Sequence, residues 1–148
     1  MEVIVIGPEP PCIRCNTLHK LANEVEQEFP GKVEVRRVSA HSEEAGKYGK
    51  IEGGHHIAET YNIAHNHKRI ESLMKEINEL KKDEKKNEEL INEKFKAIDE
   101  ELSPIKKKAN EVGILMTPVL VVNGKIKSMD YVPDRGLIRK WVEEELNH

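Results

Sequence analysis

The first 40 residues combine two short apolar runs with one amphipathic stretch. Residues 2–6 read E-V-I-V-I before Gly7-Pro8, which is typical of a buried β-strand. Apolar positions in residues 15–29 recur at steps of three and four, and this spacing predicts a helix that ends at Pro30-Gly31. Valines within residues 33–38 indicate a second strand. We therefore expect a strand–helix–strand unit in which the two strands are parallel.

The carboxy-terminal part has an equally regular pattern. Ser103 followed by Pro104 predicts the N-cap and first residue of a helix, and Gly113 predicts its end. Residues 117–122 read T-P-V-L-V-V, and the Asn-Gly pair that follows indicates a hairpin to a further strand. Residues 137–146 have the apolar spacing of a terminal amphipathic helix.

The middle of the chain has a different composition. Residues 68–101 contain 20 charged residues out of 34, yet isoleucines recur there in one heptad phase. A polar stretch from Lys81 to Glu89 interrupts the apolar positions. Two interpretations fit this pattern: an antiparallel helical hairpin that turns near residues 83–87, which we favour, or one long coiled-coil helix whose apolar seam needs a partner chain.

Composition narrows the classes of function. The formal net charge is −3, whereas a nucleic-acid-binding domain is normally basic. No apolar run approaches the roughly 18 residues of a membrane span, and no secretory signal is evident. We therefore expect a cytoplasmic protein with no nucleic-acid or membrane partner.

The chain has two cysteines, Cys12 and Cys15, and they are separated by Ile13 and Arg14. The motif follows a predicted strand and opens a predicted helix, where unpaired N–H groups and the helix dipole lower the pKa of a thiol. Arg14 adds nearby positive charge that stabilises a thiolate. These features favour a redox dithiol with Cys12 as nucleophile and Cys15 as resolving thiol; metal binding and inert thiols are the alternatives.

The prolines that precede the motif have a predicted role of their own. Pro10 and Pro11 come directly before Cys12, and each restricts the backbone of the residue that precedes it. We expect them to hold the loop extended and to present Cys12 at the end of the first strand.

The Cys12–Cys15 motif after the first strand, together with Thr117-Pro118 before V-L-V-V-N-G-K, resembles the thioredoxin superfamily. The resemblance is to its minimal branch of small thioredoxin- or glutaredoxin-like redox-active disulfide proteins. It implies an α/β fold with a four-stranded mixed sheet in the order 2-1-3-4, flanked by helices. It also implies a cis bond before Pro118 and a substrate-binding role for Thr117 and Pro118, in which the backbone of Thr117 pairs with the bound substrate chain.

This resemblance covers residues 1–40 and 104–148, which we expect to form one discontinuous thioredoxin-like domain. Residues 41–103 are then a charged helical insertion. We expect the insertion to select a partner protein or to form a homodimer through its apolar seam.

Histidines are concentrated at the start of the insertion. On one continuous helix, His55 and Glu59 would lie one turn apart, and His56 and His67 would lie three turns apart on one face. These four residues are candidate metal ligands, although their spacing matches no defined zinc motif. The alternative is that they are exposed helix histidines or a partly buried polar cluster, and we favour it.

The leading hypothesis is a thiol–disulfide oxidoreductase with a redox-active Cys12–Cys15 disulfide and no other cofactor. Its expected partners are a disulfide-containing protein substrate and a reductase. The sequence leaves two other hypotheses open. The protein could be a binding module for a metal or a metalloid on a thioredoxin-like scaffold, or a structural adaptor whose insertion binds a complex while both thiols are idle.

Overall fold

The computed structural model describes residues 1–9 and 12–147 and shows an α/β protein. The predicted role of Pro10 and Pro11 in holding the loop extended lies outside the described residues. In chain order the elements are β1 (Glu2–Gly7), α1 (Ile13–Glu28), β2 (Glu34–Ser39), α2 (Glu43–Gly46), β3 (Lys50–Glu52), α3 (Gly54–Thr60), α4 (His67–Leu80), a 3₁₀ turn (Lys81–Asp83), α5 (Glu84–Glu101), α6 (Ser103–Val112), β4 (Ile114–Met116), β5 (Val119–Val122), β6 (Lys125–Met129) and α7 (Arg135–Leu146).

Four strands form a mixed sheet in the order β2-β1-β5-β6. β1 pairs with β2 in parallel, as expected for a strand–helix–strand unit, and with β5 antiparallel. The strand numbers differ from the expected order 2-1-3-4, because two further strands, β3 and β4, lie between β2 and β5 in the sequence. The prediction missed both of these short strands, and they pair with each other outside this sheet.

β1 is apolar without interruption because both faces of the sheet are covered. Val3 and Val5 face α1 and α7, while Ile4 and Ile6 face the opposite side, where Ala45 of α2 and Ile51 of β3 pack. A strand buried on both faces loses the usual alternation of polar and apolar residues. This packing on both faces holds β1 in place.

The Asn123-Gly124 hairpin forms as predicted. Both residues have positive φ, 52° and 79°, which a tight turn between β5 and β6 requires and which Asn and Gly tolerate. β5 pairs antiparallel with β6, with an irregularity between Leu120 and Val121.

The charged middle segment folds as an antiparallel hairpin of α4 and α5. Ion pairs tie Arg69 to Glu101 at 3.3 Å and Lys94 to Glu76 at 3.1 Å, so the start of one helix lies beside the end of the other. Ile77 and Ile98 are both fully buried. The heptad seam is therefore closed within the chain, and the single long helix that was the alternative does not form.

The hairpin is continued by α6, and here one predicted detail is wrong. Ser103 is the first residue of α6 and not its N-cap, because Leu102 already has helical backbone angles. The Ser103 hydroxyl donates to the Asp99 carbonyl within the preceding helix at 3.4 Å. Gly113 ends α6 in the left-handed conformation, with φ 74°, as expected.

The insertion is not helical throughout. β3 lies within residues 41–103 and pairs in parallel with β4, which follows residue 104. This pairing joins the inserted segment to the chain that leads into Thr117-Pro118. Among the described residues, no helix is both long and apolar enough to cross a bilayer.

Candidate functional site

Cys12 and Cys15 lie close together at the start of α1, the helix that follows β1. Cys12 is the N-cap of α1, with extended backbone angles, and is partly exposed. Cys15 lies one turn inside the helix and is 1% exposed. The two sulfur atoms are 3.4 Å apart, a hydrogen-bonding distance for a reduced pair and well beyond the roughly 2.05 Å of a disulfide bond.

Gly7 makes room for the buried sulfur. A Cβ atom at position 7 would lie only 2.6 Å from the Cys15 Sγ, so the last residue of β1 must lack a side chain for this packing. Ile6, which precedes Gly7, pairs with Val119, which follows Pro118. The Thr117–Pro118 peptide bond is cis, as the resemblance implies. The dithiol and Thr117-Pro118 therefore lie at the same end of the sheet.

The thiols differ sharply in acidity. The Cys15 thiol donates to the Cys12 sulfur, and this hydrogen bond is the largest influence that lowers the pKa of Cys12 to about 6. Burial opposes the shift, while the backbone amides of Cys15 and Arg14 and the charge of Arg14 support it. The pKa of Cys15 is raised, first because its proton is held by Cys12 and also because it is buried. Near neutral pH, Cys12 is the thiolate and Cys15 keeps its proton.

Arg14 is buried and points towards the insertion. Its side chain is 5% exposed, and its Nη2 lies 3.1 Å from the Asp99 Oδ1 of α5. The same nitrogen donates to the backbone carbonyl of Asp130. The Nε atom of Arg14 has no hydrogen-bond partner among the described residues. The guanidinium therefore acts on Cys12 by its charge while its hydrogen bonds go elsewhere.

Thr117 is buried, and its backbone N–H donates to the Glu52 carbonyl of β3 at 3.0 Å. The resemblance implies that the Thr117 backbone pairs with a substrate chain. Because β3 already accepts from this N–H, such pairing would have to use the Thr117 carbonyl or displace Glu52.

The candidate metal ligands do not converge on one point. α3 ends at Thr60 and α4 begins at His67, so no continuous helix places His56 and His67 on one face, and that expectation was wrong. His55 and Glu59 do lie one turn apart on α3, as expected, with 2.9 Å between them. His67 lies at the same distance from Glu71. Within residues 1–9 and 12–147, no group of three or more His, Cys, Asp or Glu is arranged to hold a metal ion.

A cleft of about 340 Å³ lies between α1 and the hairpin. Leu21, Ile91 and Phe95 line it, and charged residues surround it, including the paired Lys20 and Glu84. The cleft shares α1 with the dithiol.

Comparisons of this chain with protein-family models, with curated proteins and with solved structures find no match.

Three residues around the dithiol were not anticipated from the sequence: Gly7, Asp99 and Asp130. Gly7 could have been suspected from its position three residues before Pro10-Pro11 and five before Cys12, but a glycine that ends a strand has many other uses. Asp99 is 85 residues from Arg14 in the chain, and it is one of many acidic residues in its helix. No local pattern distinguishes it.

Proposed function

We propose that this protein is a thiol–disulfide oxidoreductase that uses Cys12 and Cys15 as a dithiol/disulfide pair. One observation carries the proposal: a partly exposed cysteine with a lowered pKa lies 3.4 Å from a buried cysteine with a raised pKa. A nucleophile must reach its substrate and be ionised, whereas a resolving thiol should stay protonated until the intermediate has formed.

The reaction proceeds in two exchanges. The Cys12 thiolate attacks one sulfur of a partner disulfide, forms a mixed disulfide and releases the other partner sulfur as a thiolate. Cys15 then loses its proton and attacks the Cys12 sulfur, which releases the second partner thiolate and leaves a Cys12–Cys15 disulfide. Two electrons pass to the partner, and an external reductant must return two electrons to regenerate the dithiol.

The change in hydrogen bonding explains why the second step follows the first. Before attack, the negative charge on Cys12 holds the Cys15 proton in place. Once Cys12 is in a mixed disulfide, that charge is gone and the pKa of Cys15 falls. The resolving thiolate therefore becomes available when its target exists.

The finer fold assignment belongs to the same proposal. A parallel β1–α1–β2 unit, an antiparallel β5–β6 hairpin and a terminal helix support a thioredoxin-like domain. We expect the hairpin of α4 and α5 to contribute to partner selection, because it forms one wall of the cleft beside α1.

A mixed-disulfide trap tests the assigned roles. Reduced Cys15→Ser protein is mixed with an excess of a synthetic peptide dimer joined by one intermolecular disulfide, and the mixture is quenched with acid and measured by intact mass. We expect a covalent adduct on Cys12 to accumulate, because the thiol that resolves it is absent.

Cys12→Ser is the matched control, since it keeps one thiol and the same loop. It should form no adduct within the same time, because Cys15 is buried and a peptide disulfide cannot reach it. Equal trapping by the two variants, or none by either, would contradict the proposal.

A further inference from the structure

The inserted hairpin reaches the dithiol through one buried ion pair. Arg14, which stands between the two cysteines, is paired with Asp99 near the carboxy-terminal end of α5. A cation that is almost fully removed from water needs a partner, because its desolvation is costly. Asp99 is the only carboxylate paired with Arg14 among the described residues.

Asp99 belongs to a small alternating network. Lys106 of α6 lies 3.4 Å from the Asp99 Oδ1 and 3.3 Å from the Asp130 Oδ1. The Asp130 carbonyl accepts from Arg14. Tyr131 lies beside these groups, and burial together with the nearby carboxylates raises its pKa. The charges of two cations, Arg14 and Lys106, are thus balanced by those of two carboxylates, Asp99 and Asp130.

This balance has a consequence for Cys12. A positive charge near a thiolate stabilises it, and a carboxylate held against that positive charge reduces the effect. A negative charge from the hairpin would therefore oppose the ionisation of Cys12 while it keeps Arg14 in place.

We propose that Asp99 is a positioning residue of the dithiol, by which the inserted hairpin holds Arg14 and limits how far its charge stabilises the Cys12 thiolate. The inference deepens the proposed function, since it concerns the reactivity of the same nucleophile. It makes the insertion part of the machinery that sets that reactivity.

The test is the pH dependence of alkylation of the reduced protein by iodoacetamide, which reports the ionisation of the exposed Cys12. The wild-type midpoint is expected at about 6. Asp99→Asn keeps an oxygen that can accept from Arg14 but removes the negative charge. We expect its midpoint to fall by about half a pH unit, equivalent to about a threefold larger thiolate fraction in acid.

Glu101→Gln is the matched control. Glu101 lies on the same helix two residues further on and pairs with Arg69, away from the dithiol. Its midpoint should equal that of the wild type. Asp99→Glu restores the charge and should return the midpoint towards the wild-type value. A fall of the same size in Glu101→Gln, or no shift in Asp99→Asn, would overturn the proposal.

A double variant separates positioning from a direct effect through space. In Arg14→Met protein, Asp99→Asn should shift the midpoint by less than half as much as it does in the wild type. A shift of half the wild-type size or more would show that Asp99 does not act through Arg14 and would overturn its positioning role.

A variant of opposite sign keeps the test decisive if Asp99→Asn fails to fold. Lys106→Met removes the cation that pairs with both Asp99 and Asp130. Because the negative charge of Asp99 is then less balanced, the alkylation midpoint of Cys12 should rise. A fall would contradict the proposal. None of these measurements needs a disulfide substrate, so they remain informative even if the Cys15→Ser variant traps no peptide.

Discussion

The buried sulfur of Cys15 occupies the space beside Gly7 that a side chain would need. A Cβ at position 7 would lie 2.6 Å from the Cys15 Sγ and 3.0 Å from its Cβ. The first is closer than side-chain carbons approach other heavy atoms, and the second is tighter than most such contacts. The end of β1 and the first turn of α1 can therefore pack closely only because residue 7 has no side chain. The position of the Cys15 thiol depends on this close packing.

Gly7→Ala should displace Cys15 and lower the free energy of unfolding by about 1–3 kcal/mol, the usual cost of overpacking. Denaturant unfolding of the reduced protein measures this cost. Gly46→Ala is the control, because a Cβ at position 46 meets nothing within 4 Å, and it should change stability by less than about 0.5 kcal/mol. An equal effect of the two substitutions would show that Cys15 has room to move.

For individual residues, the sequence predicts the pair of thiols but not the residues that surround them. The spacing of Cys12 and Cys15 at a strand-to-helix junction indicated the dithiol, and the structure places the two sulfurs 3.4 Å apart. The Arg14–Asp99 pair could not be predicted, because its members are 85 residues apart and nothing in the local sequence distinguishes one carboxylate of α5 from its neighbours.

The α4–α5 hairpin buries its apolar stripe against itself and against α6. Ile77, Ile98 and Ile105 are all fully buried, which accounts for the regular spacing of isoleucines in a segment that is otherwise highly charged. Leu90 of α5, in contrast, is 46% exposed. The apolar content of the hairpin is concentrated where the two helices meet.

Ile77→Ala should cost about 2–5 kcal/mol, because it leaves a cavity in a filled interface. Leu90→Ala removes a similar side chain from the same hairpin but from its exposed side, so its cost should stay within about 0.5 kcal/mol. Both are measured by denaturant unfolding. Similar costs for the two variants would contradict the closed seam and would indicate that the helices use their apolar residues in some other way.

Long periodic elements were predictable, and short irregular ones were not. The polar interruption at Lys81 to Glu89 correctly favoured a hairpin, whose turn the structure places at Lys81–Asp83. β3 and β4 have only three residues each, too few for an alternating pattern to be recognised. Their pairing depends on contacts between residues more than 60 positions apart, for which the local sequence has no signal.

The hairpin packs onto neighbouring parts of the molecule through one hydrophobic cluster. Buried residues of the hairpin form one cluster with Ile105 of α6 and with Ile114 and Met116 of β4, and Ile13 of α1 packs against it. β3 and β4 join the insertion to the strand that precedes Thr117. The excess of charge in residues 68–101 therefore lies on the outer surface of an integrated structure.

Unfolding should accordingly be a single cooperative transition. Trp141 on α7 is the one tryptophan and packs against the cluster between the sheet and α1, so its fluorescence reports the sheet region. Helical circular dichroism reports all the helices, and α4 and α5 together supply a large share of that signal. The two signals should change at the same denaturant concentration. Loss of helical signal before any change in fluorescence would show that the hairpin unfolds independently.

Cys12 and Cys15 should exchange between a dithiol and an intramolecular disulfide. The most direct measurement equilibrates the protein in mixtures of reduced and oxidised glutathione, quenches with acid and determines the products by mass spectrometry. We predict one reversible two-electron transition to a species lighter by two hydrogen atoms, with Cys12 joined to Cys15. Stable glutathione adducts, intermolecular disulfides or two unreactive thiols in place of that species would contradict the account.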